Sequence, residues 1–333
     1  MARSWQAGGV ALLLLMPAGV GSAAPGFGMW RPLVKVPGIV DVVGPRRDGR
    51  LVLASHSGLF LLRRGAAPVP FARGPQGYLG STGEPYLALG TGNAVRGTGC
   101  SFRRDDVFVL NPGAAPSVLR VDRTGRSRPF ASLPKGAFPS GIAIDGVGSF
   151  GYRLLVTATA SGKTTLHTFD CRGRDRVVAA GAPVVEGGLG VAPLTFGRYA
   201  GWLIAADEGS GRIYGFGPGG RTRVVTNSGL PAGGDVGVEA VGFVPRALGR
   251  RGVAYLSDMG APGSPTPGSD SLLVLRAGDI SRARLRAGDL LVATESGAKT
   301  LALRCRRVCT MRRVANGPQN THAEGHITFL PRR

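Results

Sequence analysis

The sequence predicts an all-β fold, a propeller of four-stranded antiparallel blades, and three observations predict it. Glycine and proline number 55 and 24 of 333 residues, with no glycine at every third position. Collagen and long helices are thereby excluded, and many tight turns are required. The chain is 43% hydrophobic and 18% charged, enough apolar surface to offset the conformational entropy of ordering. A strand–glycine turn–strand unit also recurs with a period of about 50 residues, as propeller blades do.

Ahead of the repeats, Arg3 is followed by an apolar run from Ala7 to Val20 and by Gly21-Ser22-Ala23. This is the pattern of a signal peptide, residues 1–23, cleaved after Ala23, with residues 24–333 forming the propeller domain. Pro17 and the shortness of the run argue against a permanent anchor, which needs about 20 apolar residues. No cysteine follows the run to take a lipid. The mature chain is expected to be secreted, extracellular and monomeric, without a transmembrane anchor.

The clearest repeat is Val121-Asp122-Arg123-Thr124-Gly125-Arg126, which returns at Phe169-Asp170-Cys171-Arg172-Gly173-Arg174 and at Phe216-Gly217-Pro218-Gly219-Gly220-Arg221. Glycine supplies the positive φ of the turn, and the flanking Val and Phe suit a pleated, half-buried surface. In phase with it come innermost strands opening on glutamate, at Glu186 to Pro193, Glu239 to Pro245 and Glu324 to Pro331. Strands ending at a loop follow, as in Leu51 to His56, Leu203 to Glu208, Ala254 to Asp258 and Leu291 to Glu295. Innermost strands starting near Ile39, Glu84, Ser140, Glu186 and Glu239 define five blades, and a sixth holds Leu290 to Thr294 and Thr300 to Arg304. Six blades are counted, with seven as the alternative. The chain opens on an outermost-type strand at Arg31 and ends on an innermost-type strand at Glu324, so closure mixes the two termini and removes the open sheet edge.

Export permits disulfides, and the cysteines are Cys100, Cys171, Cys305 and Cys309. Three pairings are possible. Cys305 and Cys309 flank Arg306-Arg307-Val308 in what reads as a hairpin turn, which pairs them locally and leaves Cys100 with Cys171. The alternative, a zinc site, matches poorly, since C-x3-C has no second cysteine pair or histidine pair beside it.

Lys and Arg total 41 against 20 Asp and Glu, a formal charge of +21. Lysine occurs only at Lys35, Lys135, Lys163 and Lys299, so the excess is arginine, scattered apart from a cluster over Arg304, Arg306, Arg307, Arg312 and Arg313. No nucleic-acid-binding motif accompanies the charge, and no specific nucleic-acid partner is expected. Attraction to anionic wall polymers or membrane surfaces follows from the long-range field.

Neighbouring strands run antiparallel, so the start of an innermost strand and the end of the next share one rim. That rim gathers Glu84, Glu186, Glu239 and Glu324 with the ligand-face set His56, Asp207, Glu208, Asp258 and Glu295. The chain has six glutamates, and all six belong here. Crowding carboxylates around a narrow opening is repulsive unless a cation, arginines or backbone N–H groups compensate. A divalent cation, Ca2+ from its preference for several oxygen ligands, is one expectation. In His322-Ala323-Glu324-Gly325-His326 the strand period of two puts three polar groups on one face, a set suited to Zn2+ or to a histidine general base. The metal candidates are thus Glu84, Glu186, Glu239, His322, Glu324 and His326, and the catalytic candidates are Glu324 and His326.

The segment Leu203-Ile204-Ala205-Ala206-Asp207-Glu208-Gly209-Ser210-Gly211-Arg212-Ile213-Tyr214-Gly215-Phe216 resembles the repeat of NHL and SMP-30/gluconolactonase-like six-bladed propellers of the TolB-like superfamily. The resemblance covers most of the chain beyond Trp30 as a blade pattern. It implies one divalent cation at the channel mouth, held by Glu, Asn and Asp side chains. Matching asparagines are not evident in this chain.

Two other motifs fail on context. Gly146-Val147-Gly148-Ser149-Phe150-Gly151 fits G-x-G-x-x-G but reads as a turn between strands, with no helix after it. Gly162-Lys163-Thr164 lacks the first glycine of a phosphate loop and runs into a strand. No nucleotide cofactor is expected, and no G-x-S-x-G serine elbow is present. The sequence therefore predicts an exported propeller that binds a small molecule or extracellular polymer at its channel mouth. The alternative is a metal-dependent hydrolase of the lactonase type; a wall-associated scaffold held by arginines is a third possibility.

Overall fold

A computed structural model describes residues 27–331 apart from 74, 75, 79 and 82; the expected signal peptide lies outside the described residues. The described chain is nearly all-β, with four-stranded antiparallel sheets set in a propeller-like ring. The first sheet runs outward through Ile39–Val43, Leu51–Ser55, Gly58–Leu62 and Val69–Phe71. The next is Leu87–Leu89, Val107–Asn111, Ser117–Val121 and Ser127–Ser132. Then come Phe138–Ile144, Leu154–Ala160, Lys163–Phe169 and Asp175–Ala182, and after them Glu186–Val191, Leu203–Asp207, Arg212–Phe216 and Thr222–Asn227.

The rest of the ring is a nine-stranded sheet made of two antiparallel four-stranded runs joined by a parallel bridge, Val241 to His326, with the two-residue strand Gly28–Met29 added in parallel to the outer edge of Cys309–Asn316. Its routing differs from the expected one. The strand Val238–Phe243 pairs with Leu290–Thr294, and Val253–Asp258 pairs with the final strand, Ala323–Leu330. Consecutive strands are usually neighbours; here the chain crosses to lay two strands on the adjacent run before returning. The terminal strands mix as expected. Arg31–Lys35 is the outer partner of Ser271–Leu275, while Ala323–Leu330 is innermost in the same run.

Alternation explains why these strands read as unbroken apolar runs. Leu51 and Leu53 pack toward the final run, whereas Val52 and Ala54 pack toward the second sheet. Leu203 and Ala205 face one neighbour, Ile204 and Ala206 the other. With sheets stacked radially, both faces of strands such as Leu51–Ser55 and Leu290–Thr294 are buried, so the period of two separates two cores rather than core from solvent. Among the described residues the core clusters all lie between adjacent sheets, from Val43 with Val109 round to Tyr255 with Ile39.

The repeated hairpins have a common cause. Asp122 Oδ1 accepts the N–H groups of Thr124 and Arg126, and Asp170 Oδ1 those of Arg172 and Arg174, so each aspartate closes its own turn around the positive-φ glycine. The G-x-G-x-x-G segment is a turn, and its N–H groups at Val147, Gly148, Phe150 and Tyr152 all donate to Asp145. An internal carboxylate takes the place a phosphate would need. Both disulfides are present, Cys100–Cys171 and Cys305–Cys309; the second closes the hairpin of Thr300–Cys305 and Cys309–Asn316.

Candidate functional site

The innermost strands line a central channel, and their first residues meet at one opening. Register places them there: Glu186 stands opposite Ala206, Glu324 opposite Ser257 and Val238 opposite Thr294. Glu208 and Glu295 follow the ends of the second strands, and Glu84 precedes Leu87–Leu89 by three residues. The six glutamates converge. Ligand-capable atoms of Glu84, Glu239 and Glu324 lie within 4.8 Å of one another, as do those of Glu208, Glu239 and Glu295 and those of Glu295, His322 and Glu324. Glu84 also faces Glu186 at hydrogen-bonding range. Gly187, at φ 78°, makes room for this crowding, since a Cβ there would strike the Glu239 side chain.

Tyr86, two residues after Glu84, stands at the centre. Its Oη is 2.8 Å from Glu84 Oε2, 2.6 Å from Glu239 Oε1 and 2.9 Å from Glu324 Oε2. A phenol carries one hydrogen. It can donate to one of the three, so in the absence of a cation the other two carboxyls must donate their own protons to its lone pairs. Sequence reading missed Tyr86; the available signal was its spacing of two from Glu84, just ahead of the innermost strand Leu87–Leu89.

His322 reaches the same cluster from Ala323–Leu330. Its Nε2 is 2.7 Å from Glu295 Oε1 and 3.4 Å from Glu324 Oε1. On the other side of the ring, Nδ1 is 3.1 Å from the Thr266 carbonyl and 3.2 Å from Ser264 Oγ. A carbonyl only accepts, so Nδ1 carries a hydrogen and Nε2 turns its lone pair toward the carboxylates unless it is protonated too. Asp258 supports this arrangement without entering it, accepting the His322 backbone N–H at 2.8 Å and the Ser269 hydroxyl at 2.5 Å.

The electrostatics follow from burial and like charge. Loss of solvent, then the neighbouring Glu84 and Glu208, lifts Glu186 to about 8. Loss of solvent followed by Glu295 does the same for Glu208, to about 8. Glu239 and Glu324 are fully buried and held well above the carboxylate range, by desolvation first and by the surrounding glutamates second. For His322 burial opposes the imidazolium, but Glu295, Glu239 and Asp235 together outweigh it and the net direction is upward. Among the described residues no arginine or lysine forms a salt bridge to these glutamates; the one basic partner is His322. Glu295 Oε2 is buried, and the partner at hydrogen-bonding range of the Glu295 side chain besides His322 is the Glu208 carboxyl, a contact that needs a proton or a bound cation between the two acids. Such a set of oxygens with one imidazole is suited to a hard or borderline divalent ion.

His326 lies apart from this group. The strict two-residue alternation breaks at Gly325, whose φ is 69°, and the register against Val253–Asp258 shifts there. His326 is turned down the channel, where Nδ1 is 2.9 Å from Asp41 Oδ2 and Nε2 accepts the Leu189 N–H at 3.3 Å. It borders the opposite opening, where Val43, Val191 and Phe243 line a cavity of about 280 Å³. His56 is exposed, and Asp207 is taken up by the Ser210 hydroxyl and N–H.

No family model matches the chain, and no curated protein does. Solved structures similar to it are propellers at low identity. A virginiamycin B lyase from Staphylococcus aureus is 11% identical, with a TM-score of 0.48 over 86% of this chain and 73% of that one. A putative TolB from Agrobacterium tumefaciens is 10% identical, with a TM-score of 0.46 over 88% and 91%. A gluconolactonase from Xanthomonas campestris is 16% identical, with a TM-score of 0.40 over 69% of each chain.

Proposed function

We propose that the chain is an exported propeller of six blades that holds a divalent cation, Ca2+ foremost, in its glutamate mouth. Through that ion it binds a small molecule or extracellular polymer. The observation that carries this reading is the gathering of every glutamate in the chain at one opening, with no arginine or lysine paired to them. In a protein of charge +21 there are basic side chains to spare, and their absence from the mouth leaves the carboxylates to be compensated by protons in the cation-free protein and by an ion when one is bound. The blade count rests on the innermost strands that follow one another round the channel. Export accords with the two disulfides, and among the described residues no helix is long and apolar enough to cross a membrane.

The hydrolase alternative has less support. His326, expected as a base, has both ring nitrogens engaged by Asp41 and Leu189, which leaves Glu324 as the remaining catalytic candidate beside the ion. The test is elemental analysis of purified protein dialysed against micromolar Ca2+, together with its melting curve before and after EDTA. Bound calcium and a lower melting temperature in EDTA are expected. Protein that carries no ion and melts identically in EDTA would sink the reading, and EDTA-sensitive lactone hydrolysis would promote the alternative.

A further inference from the structure

We infer that the side of the ring away from the glutamate mouth carries a second binding site, for an acidic polysaccharide, built from Trp202, Arg198, Arg221 and Arg223. Trp202 immediately precedes the strand Leu203–Asp207 and Glu208 follows it, so site and mouth lie at opposite ends of one strand. With Tyr199 and Val224 these residues line a cavity of about 450 Å³ that no acidic side chain borders. Trp202 is half-buried and the three arginines are exposed. The wall is held in place by Tyr199, whose ring meets Trp202 edge-on at 5.5 Å between centroids and whose hydroxyl donates to the Val224 carbonyl at 3.1 Å. The Arg198 guanidinium lies over the same ring, 5.0 Å from its centroid.

The chain's own repeats show what sets this place apart. In the turns at Asp122 and Asp170 the aspartate closes the loop, and Asp170 also accepts the Arg174 Nε–H at 2.6 Å. The third copy folds in the same way, with the Gly217 N–H on the Arg221 carbonyl as the Asp170 N–H is on that of Arg174, but glycine stands where the aspartate was. A Cβ at Gly217 or at Gly215 would come within 3.1 Å of the Trp202 indole. The ring takes the room an aspartate would need, and Arg221 lacks the partner that Arg174 has. Other arginines of the chain are paired, Arg120 with Asp106 and Arg304 with Asp289, whereas among the described residues Arg198, Arg221 and Arg223 form no salt bridge and no side-chain hydrogen bond.

Unpaired guanidinium groups bind oxyanions through forked N–H pairs, and the indole in the same cavity offers an apolar platform for the C–H face of a ring. A chain of sugar rings bearing carboxylates supplies both. Single-stranded nucleic acid also joins rings to anions; the export reading above, on which this choice rests, favours the saccharide. The test is calorimetry of the full-length chain in EDTA, which keeps the mouth out of the measurement, against an oligogalacturonate, a neutral maltooligosaccharide of equal length and oligo(dT). The oligogalacturonate should bind in preference to both. R221A and R223A should each lose about tenfold in affinity and folded W202F about threefold, while R126A, from the matching turn of the second sheet, should bind as wild type does. No binding of the oligogalacturonate overturns the inference. So does an equal loss in R126A and R221A, which would mark diffuse charge rather than a site, or an undiminished affinity in folded W202F. Tighter binding of oligo(dT), weakened by the same variants, overturns the saccharide assignment. The arginines are exposed, so their variants decide even where W202F fails to fold. Saccharide bound by protein that takes up no Ca2+ would leave this inference standing and sink the cation reading alone.

Discussion

Raising the pH of the cation-free protein from 5 to 8 should destabilise it, and the size of the effect follows from the mouth. Glu186 is lifted from its ordinary 4.5 to about 8, so between those values the folded chain keeps a proton that the unfolded chain has released. A group with a raised folded pKa stabilises most below its unfolded value, and that contribution is lost progressively as pH rises to the folded value. Each such proton costs about 1.4 kcal/mol per pH unit. Over three pH units Glu186 alone accounts for roughly 4 kcal/mol by that slope. Glu208, also lifted to about 8, adds a smaller part because it is less buried, and the upward shift of His322 acts with the same sign. The lowered carboxyls of Asp48, Asp122 and Asp170 act in the opposite sense but below this window. The assay is denaturant unfolding in EDTA at pH 5, 6, 7 and 8, repeated for E186Q. Wild-type stability should fall steadily, E186Q should show a slope shallower by about one proton, and saturating Ca2+ should reverse the trend because protons and the ion compete. Cation-free stability that is flat or rising over this range would refute the reasoning.

Tyr86→Phe removes the hydroxyl shared by three carboxyls and should cost the cation-free protein about 1–3 kcal/mol at pH 5, measured by denaturant unfolding. The cost should shrink when Ca2+ occupies the mouth. Replacing Cys100 and Cys171 together by serine opens a link spanning 71 residues and should cost about 4 kcal/mol in chain entropy, against about 2 for Cys305 and Cys309, separated by 4. Comparing the two double variants by chemical denaturation checks this order.

Much of the architecture is legible because a radial stack imposes an unusual pattern. Leu290, Leu291, Val292 and Ala293 alternate between two cores, so a fully apolar strand bounded by turns marks a sheet buried on both faces. The strand exchange is illegible for the same reason. Val253–Asp258 and Leu290–Thr294 are both apolar strands that run to an acid at the rim, and either would satisfy the partner that the other takes. Pairing is decided by the whole segment from Pro245 to Asp289, with its short helix Ala277–Arg282, and no local pattern records that choice. The displacement of His326 has a smaller cause. A glycine at 325 permits a bulge without announcing one, and the two-residue projection that carries His322 and Glu324 to the mouth fails one step later.

The division of labour between the two acids explains why the site was visible at all. Aspartate has a short side chain that meets backbone N–H groups two to four residues ahead, and this chain spends aspartates that way at Asp122, Asp145 and Asp170. Asp41 does the same across strands, accepting the N–H groups of Leu87 and His326. Glutamate carries one more methylene and no such local habit in a strand, and its reach suits a carboxylate that must cross a channel. In a chain where every glutamate is kept from ion pairs with arginine or lysine, the residue type itself marks the mouth. A glutamate-to-aspartate exchange there should therefore be poorly tolerated despite conserving charge. E239D withdraws an oxygen by about 1.5 Å, one carbon–carbon bond, from both triads that Glu239 serves. Cation affinity measured by calorimetry should fall at least tenfold while the far-UV spectrum stays unchanged. Affinity equal to wild type would show that the carboxylate count, rather than the geometry of the mouth, governs binding.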